Sequence, residues 1–161
     1  MMQNLNTYTD CMTSPLGLIR IDASGRAITK IVFTNKKDLS SSSCSLIKEC
    51  QKELTEYFMG KRKIFSLPLN YKGTDFQHAV WSSLNNIDFG ETASYTNIAS
   101  MAQRPLAIRA VGGALNKNPI AIIAPCHRIV SKNGCLTGYA GGLKRKSWLI
   151  AHENYYNKKL V

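Results

Sequence analysis

The chain has 161 residues, enough for one large domain or two small ones, and its 44% hydrophobic and 9% aromatic content is typical of globular proteins and not of disordered ones. Its net charge of +11, from 21 Lys and Arg against 10 Asp and Glu, favours a polyanionic partner, with nucleic acid ahead of an anionic membrane. No apolar run approaches the ~20 residues of a membrane span, and the first ten residues lack a signal-peptide pattern, so we expect a cytoplasmic protein.

The cysteines and histidines follow no disulfide or metal-ligand pattern. The five cysteines form no C-x-x-C pair, and their odd number favours free thiols in a reducing compartment. The three histidines, at positions 78, 127 and 152, are too scattered for zinc-finger spacing. We therefore predict no metal site.

The N-terminal part reads as short strands followed by one helix. From Thr7 onward strands are expected: residues 17–23 alternate apolar and polar side chains, and residues 27–34 form the returning strand of a hairpin. A polar loop is predicted over 35–45. Helical spacing then begins at Leu46.

The end of this part is marked by glycine and proline. Gly60 ends the helical pattern, and residues 64–69 are a candidate strand that Pro68 interrupts. We place a domain boundary near residues 70–73. This gives an N-terminal domain of residues 1–72 and a C-terminal domain of residues 73–161.

The chain then becomes rich in helices. Thr74 and Gln77 fit a capping box, and an apolar helical face follows them. Ser94 is placed to cap a second helix, and Pro105 separates it from a third over 106–115. Two short helices across a tight break are typical of a helix-turn-helix.

Two glycines lie inside the third helix, which is unusually rich in small side chains. Gly112 and Gly113 each cost roughly 1 kcal/mol relative to alanine in a helix. Such a cost indicates a close approach of something to this surface. Another helix and a nucleic-acid backbone both fit, and the sequence leaves the two open.

The main candidate for chemistry is a cysteine. An apolar run over 120–124 reads as a short buried strand that delivers Cys126 at its end, behind Pro125. A free thiol has a pKa of about 8.5, so a nucleophilic cysteine needs a base or a positive charge nearby. His127 and Arg128 follow at once, and the histidine could act through one water. The alternative is a small buried thiol beside a hydrogen-bonded histidine.

The last segment is predicted to contain a hairpin, a loop and a helix. Residues 129–137 form the hairpin around Lys132-Asn133-Gly134, and the glycine-rich loop 138–142 leads into a helix over 143–155. Three cations at 144–146 lie near the start of that helix and oppose its dipole. They are either phosphate contacts or solvated surface.

Several short motifs occur together in a characteristic order and spacing. They are Ser94-Tyr95, Arg109-Ala110-Val111-Gly112-Gly113-Ala114, Asn118-Pro119, Pro125-Cys126-His127-Arg128-Ile129-Val130, Gly138-Tyr139-Ala140-Gly141-Gly142-Leu143, Trp148-Leu149 and His152-Glu153. Over roughly residues 74 to 155, and more weakly toward the N-terminus, the chain resembles the methylated-DNA–protein-cysteine methyltransferases, the O6-alkylguanine-DNA alkyltransferases.

The resemblance implies an α/β fold in two parts. The N-terminal α/β domain would be small and mainly structural, with an RNase H-like sheet and a helix. The C-terminal domain would be mainly helical and winged helix-turn-helix-like, and would hold the DNA-binding surface and the cysteine. No cofactor is implied, because the protein itself accepts the alkyl group. Some members bind zinc in the N-terminal domain, but positions such as Ser24 do not offer the ligands, so the metal-free prediction stands.

The resemblance also implies an activity, the direct repair of DNA by stoichiometric, self-inactivating transfer of an alkyl group from O6-alkylguanine to Cys126. O4-alkylthymine is an open second substrate. In the family pattern Cys126 attacks the alkyl carbon and His127 takes the thiol proton through a water. Glu153 would orient His127, and Asn118 would tie the turn before the cysteine.

The implied partner is double-stranded DNA, which a monomer would bind in the minor groove with the damaged nucleotide flipped out. Arg109 would fill the gap in the base stack, and Tyr95 would crowd the target phosphate. The residues expected to contact DNA or the flipped base are Tyr95, Arg109, Ala110, Gly112, Gly113, Arg128, Ile129, Tyr139 and Ala140.

Two other functions compete with this one. A helix-turn-helix lesion sensor with a structural cysteine would bind DNA without any covalent change. A Cys-His-Glu hydrolase would turn over repeatedly, but the sequence shows no evident oxyanion hole and that activity leaves the basic charge unexplained. Covalent alkylation of Cys126 separates the three.

Overall fold

A computed structural model describes residues 6–37 and 41–159. The chain divides into two compact units, one ending at Lys72 and the other beginning at Gly73. Within the described ranges, no helix is both long enough and apolar enough to cross a membrane.

The first unit is an antiparallel sheet with one helix. Strands β1 (Thr7–Ser14), β2 (Gly17–Ser24) and β3 (Ile28–Thr34) follow one another in the order β1-β2-β3, and α1 (Ser45–Phe58) packs against β1 and β2. The period-2 pattern predicted the β2–β3 hairpin because one face of each strand is buried. The fully buried side chains include Ile19, Ile21, Ile31, Ile47 and Leu54.

One predicted strand of this unit is wrong. Residues 64–69 form no strand, and Leu69 makes only an isolated parallel bridge to Ile28. The Pro68 carbonyl accepts from Ile28 N, but Pro68 has no N–H with which to extend a ladder. The predicted polar loop over 35–45 is described only in part, because residues 38–40 lie outside the described ranges.

The second unit is mainly helical, with one small parallel pair of strands. Its elements are α2 (Asp75–Ser83), a 3-10 turn (Leu84–Asn86), β4 (Ala93–Ser94), α3 (Tyr95–Met101), α4 (Ile108–Asn116), a 3-10 turn (Cys126–Arg128), β5 (Ile129–Val130) and α5 (Leu143–Lys158). Helices α2, α3 and α4 pack on one another, and α5 packs on the Cys126–Arg128 turn. A small N-terminal sheet unit and a C-terminal helical unit are therefore the observed architecture.

Both helix starts predicted by capping residues are confirmed. Thr74 caps α2 and Ser94 caps α3, each in a reciprocal capping box with the residue three positions on. Helix α4 begins two residues later than predicted, at Ile108. The Trp81 indole donates to the Ala114 carbonyl at 2.8 Å, which ties α2 to α4 in the buried interior. The predicted helix-turn-helix is thus α3, a tight turn and α4.

The predicted hairpin over 129–137 is wrong except for its turn. Gly134 N donates to the Ser131 carbonyl at 2.8 Å, and Ser131 N donates to the Cys135 carbonyl at 3.0 Å. Strand β5 pairs instead in parallel with β4. Residues 135–137 form no strand, and the Thr137 carbonyl accepts instead from two side chains of the site described below.

Candidate active site

The site begins with a turn that is built around one buried amide. Asn118 Oδ1 accepts from Ile120 N at 3.0 Å, and its Nδ2 donates to the carbonyls of Ile120 at 3.3 Å and Ala124 at 2.8 Å. The same Nδ2 lies 3.3 Å from Cys126 Sγ. One side chain therefore ties the whole turn and reaches the sulfur.

This arrangement corrects the predicted strand over 120–124. Residues 121–123 form turns and residue 124 a bend, Ile120 makes only an isolated bridge, and Ile122 has a φ of +69°, outside the strand region. A short apolar run cannot distinguish a buried strand from a buried turn by its pattern alone. Here the Asn118 amide bonds the backbone of Ile120 and Ala124, and Cys126 begins a 3-10 turn instead of ending a strand.

Cys126 is a buried thiol with a cationic neighbour. Its side chain lies on the Cys126–Arg128 turn and is 8% exposed. Burial raises the pKa of the Cys126 thiol, whereas the Asn118 hydrogen bond and the charge of Lys146 lower it. The net pKa lies above the ordinary value, so the sulfur is protonated at neutral pH and needs a base.

His127, the next residue, is the candidate base. The ring is fully buried, and its Nε2 lies 2.7 Å from Glu153 Oε1. Burial lowers the pKa of His127 more than the hydrogen bond and charge of Glu153 raise it, which favours the neutral ring. A neutral ring bonded to a carboxylate carries its proton on Nε2. Nδ1 is then a lone pair, and it has no hydrogen-bond partner among the described residues.

Glu153 and Arg128 form a buried ion pair behind the histidine. Arg128 Nε donates to Glu153 Oε2 at 2.8 Å, its Nη2 donates to Oε1 at 3.1 Å, and its Nη1 donates to the Ile87 carbonyl at 2.6 Å. Burial alone would raise the pKa of Glu153, but the bonds and charges of His127 and Arg128 hold it well below its usual range. The expected DNA contact of Arg128 is therefore corrected, since the residue is 7% exposed and its guanidinium is bonded inside the domain.

A cavity of about 440 Å³ opens beside the sulfur. Its lining residues are Tyr95, Gly112, Gly113, Leu115, Asn116, Cys126, Thr137, Gly138 and Tyr139. The Tyr139 hydroxyl is buried and has no partner among the described residues, although a buried hydroxyl normally finds one. The residue lines the cavity, but its hydroxyl is enclosed, so its hydrogen-bonding capacity is unused among the described residues.

A tyrosine and a lysine hold the wall opposite α4. Tyr95 Oη donates to the Thr137 carbonyl at 2.8 Å, and Lys146 Nζ donates to the same carbonyl at 2.8 Å and to the Gly138 carbonyl at 3.2 Å. Lys146 is fully buried, so neither alternative left open by the sequence, a phosphate contact or a solvated surface, applies to it. The sequence pattern singled out this lysine because its charge opposes the helix dipole. Nothing in the sequence indicated that the Thr137 carbonyl would accept from both side chains.

The outer face of α4 is open. Arg109, Ala110 and Gly113 are exposed there, and a Cβ placed on Gly113 would meet no described atom within 4 Å. A Cβ on Gly112 would meet only the Tyr95 ring, at 3.9 Å. No helix of the described chain requires these glycines, so of the two explanations left open by the sequence, an external backbone fits better.

The remaining predicted residues lie around this group. Ala140 is exposed in the loop before α5, whereas the Ile129 side chain is fully buried in β5. Only the Ile129 backbone therefore remains for a base contact. No group of three or more His, Cys, Asp or Glu side chains placed to hold a metal occurs among residues 6–37 and 41–159.

Comparison with known proteins identifies relatives along nearly the whole chain. Residues 7–71 match the model of the 6-O-methylguanine DNA methyltransferase ribonuclease-like domain, and residues 75–155 match that of its DNA-binding domain. A methylated-DNA–protein-cysteine methyltransferase of Methanosarcina mazei is 51% identical over 152 residues, which cover 91% of this chain and 96% of that protein.

Two further relatives extend the likeness. The inducible methylated-DNA–protein-cysteine methyltransferase of Bacillus subtilis is 51% identical over 98 residues, which are 61% of this chain and 55% of that protein. The crystal structure of the Mycobacterium tuberculosis OGT in complex with DNA superposes with a TM-score of 0.85 at 37% identity, covering 92% of this chain and 93% of that one. With both of its domains matched and such identity over nearly its whole length, the chain belongs to the 6-O-methylguanine DNA methyltransferase family.

Proposed function

We propose that this chain repairs DNA by transferring the alkyl group of O6-alkylguanine to Cys126, once per molecule. The observation that carries the proposal is the Cys126 thiol in the wall of a cavity of about 440 Å³, next to a histidine–glutamate pair and to the open face of α4. A cavity of this size is within the range of small-molecule sites, about 300 to 1,000 Å³. The names of the relatives, which are methyltransferases of methylated DNA, support this substrate.

The chemistry needs a proton acceptor and a nucleophile. His127 Nδ1 takes the Cys126 proton, directly or through a water, and the thiolate attacks the alkyl carbon. The S–C bond forms as the C–O6 bond breaks, and the electron pair of that bond stays on the guanine. The guanine leaves as an anion and becomes neutral when it takes one proton. Since the C–S bond of a thioether is hard to cleave, the S-alkylated Cys126 does not return to the free thiol.

DNA is the partner, and α4 is the proposed contact surface. An O6 substituent lies inside the duplex, so the base must rotate out of the stack before its carbon can meet the sulfur. The small exposed side chains of α4 suit the narrow minor groove, and Arg109 is exposed where it could fill the vacated stack. Tyr95 and Tyr139 line the cavity that would receive the base. We propose that one molecule acts alone on each lesion; its cytoplasmic location stays a prediction.

The test is stoichiometric transfer from a defined lesion. A duplex with one O6-methylguanine, incubated with excess protein, should add about 14 Da to the peptide that contains Cys126, as CH3 replaces H on one sulfur. Cys126→Ala should bind the duplex without any mass change. Cys135→Ala is the matched control, because this exposed thiol lies outside the cavity wall, and it should transfer normally.

Three outcomes would contradict the proposal. Wild-type protein that binds the lesion with no gain of mass would indicate a sensor. Repair of several lesions per molecule would indicate a true catalyst. A methyl group on Cys135 instead of Cys126 would place the nucleophile outside the site.

A further inference from the structure

We propose that Arg128 is a positioning residue for the alkyl transfer: its buried guanidinium grips the Glu153 carboxylate, which in turn aims His127 at the Cys126 thiol. The inference rests on the proposed function for its activity assay. It replaces the expected role of Arg128 at the DNA surface with one inside the site.

The guanidinium of Arg128 binds the Glu153 carboxylate in a bidentate manner. Arg128 Nε and Nη2 meet the two carboxylate oxygens of Glu153 separately, at 2.8 Å and 3.1 Å. Gly90 N donates to Oε2 at 3.1 Å, and Nη1 of the arginine is itself anchored on the Ile87 carbonyl at 2.6 Å. A planar fork bonded to both oxygens fixes the rotation of the carboxylate. Oε1, which lies 2.7 Å from His127 Nε2, therefore has a fixed position.

The charge of Arg128 also influences whether the His127 ring is neutral or protonated beside the Glu153 carboxylate. Around His127, the turn supplies Arg128 and the Cys126 thiol, and α5 supplies Glu153 and Lys146. The Tyr139 phenol, whose pKa responds to the charges of Cys126, Arg145 and Glu153, is a further titratable group of the site. With Arg128 present, the Glu153 carboxylate is already neutralised by a permanent cation. Without it, the cation nearest to that carboxylate would be a protonated His127, which has no lone pair left for the thiol.

This reasoning predicts a change in pH dependence and not only a loss of rate. Single-turnover transfer should be measured from about pH 5 to 9 for wild type, Arg128→Lys and Arg128→Met. In Arg128→Met the acidic midpoint should rise by about one pH unit, so transfer slows about tenfold more at the acidic end than at the basic end. Arg128→Lys keeps the charge but not the fork, and its midpoint should lie between the other two.

Arg20→Met is the matched control. Arg20 pairs with Asp22 on the sheet of the first unit, and its side chain is 39% exposed. The substitution removes the same charge from the protein, so it corrects for any weakening of DNA binding. Its acidic midpoint should equal that of wild type.

A second readout does not depend on transfer. Nitrogen NMR of the His127 ring reports its tautomer and its titration midpoint directly. We expect a neutral ring protonated at Nε2 in wild type at neutral pH, and a higher midpoint in Arg128→Lys, which serves if Arg128→Met does not fold. An unchanged His127 midpoint in a folded Arg128 variant would overturn the proposal. Wild type that transfers no alkyl group would overturn the proposed function alone, because the NMR result would still stand.

Discussion

Replacing Asn118 by alanine should destabilise the second unit strongly, although it removes only one small side chain. The amide makes three backbone hydrogen bonds, to Ile120 N, Ile120 O and Ala124 O, and one contact to Cys126 Sγ. A hydrogen bond contributes about 1 kcal/mol net, and a buried group left unpaired costs about 1–3 kcal/mol. We therefore expect the free energy of unfolding to fall by about 3–5 kcal/mol.

The position of the bonds makes this loss local and functional. Ile122, held within the same turn at a φ of +69°, is a β-branched residue in a conformation that costs about 1–3 kcal/mol. Without the amide, the turn can relax toward ordinary backbone angles and carry Cys126 away from its position in the cavity wall. Transfer should then fall at every pH, unlike the effect expected at Arg128.

Urea unfolding followed by tryptophan fluorescence measures the stability change. Both tryptophans of the chain, Trp81 and Trp148, lie in the second unit, so the signal reports on that unit. Asn154→Ala is the matched control: Asn154 is exposed on α5, and its replacement should change the free energy of unfolding by less than about 0.5 kcal/mol. A loss under about 1 kcal/mol for Asn118→Ala would refute the view that this amide holds the turn together.

Two further predictions concern α4 and the histidine. Gly113→Ala should raise the free energy of unfolding by about 0.5–1 kcal/mol, because this position is helical and has room for a Cβ. The same substitution should weaken DNA binding in a salt-titrated binding assay. Unchanged binding would contradict a close approach of the DNA backbone to this glycine. The second prediction concerns His127, whose pKa burial lowers in the folded protein. Between this lowered pKa and about 6.5, the ordinary pKa, the unfolded chain binds more protons than the folded one. The stability present above about pH 6.5 should therefore be lost as the pH falls. Urea unfolding at about pH 7.5 and pH 5.5 should show this loss, and His127→Gln should reduce it; a wild type more stable at the lower pH would contradict the assigned direction.

Local signals in the sequence predicted the local structure well. The caps at Thr74 and Ser94 and the strand pairing of β2 with β3 depend on residues close together in the chain, so pattern and propensity are sufficient. The strand predicted over 120–124 failed for the opposite reason. Its conformation depends on a single polar side chain, Asn118, whose hydrogen bonds take the place of a sheet.

The candidate site was found through its motifs, but the partners of its charged residues were not. His127 and Glu153 are 26 positions apart and Arg128 and Glu153 are 25 apart, so only the fold brings them together. The family resemblance placed Arg128 at the DNA, and the sequence left the cations at 144–146 open between phosphate contacts and solvated surface. All of these expectations assume exposed side chains, as charged residues usually are. Nothing in composition shows that a particular cation has a buried carboxylate or carbonyl partner.

These buried cations change how the net charge should be interpreted. Residues 73–161, the second unit, carry 10 Lys and Arg against 4 Asp and Glu, but Arg128 and Lys146 are enclosed by the fold. A buried cation releases no counterion when DNA binds, so these two contribute nothing to the salt dependence of binding. Their charges act inside the domain, one on Glu153 and the other on Cys126. The exposed cations, such as Arg109 on α4, are left to attract DNA. The positive charge of this unit thus has two separate uses, and salt titration should be sensitive to only one of them.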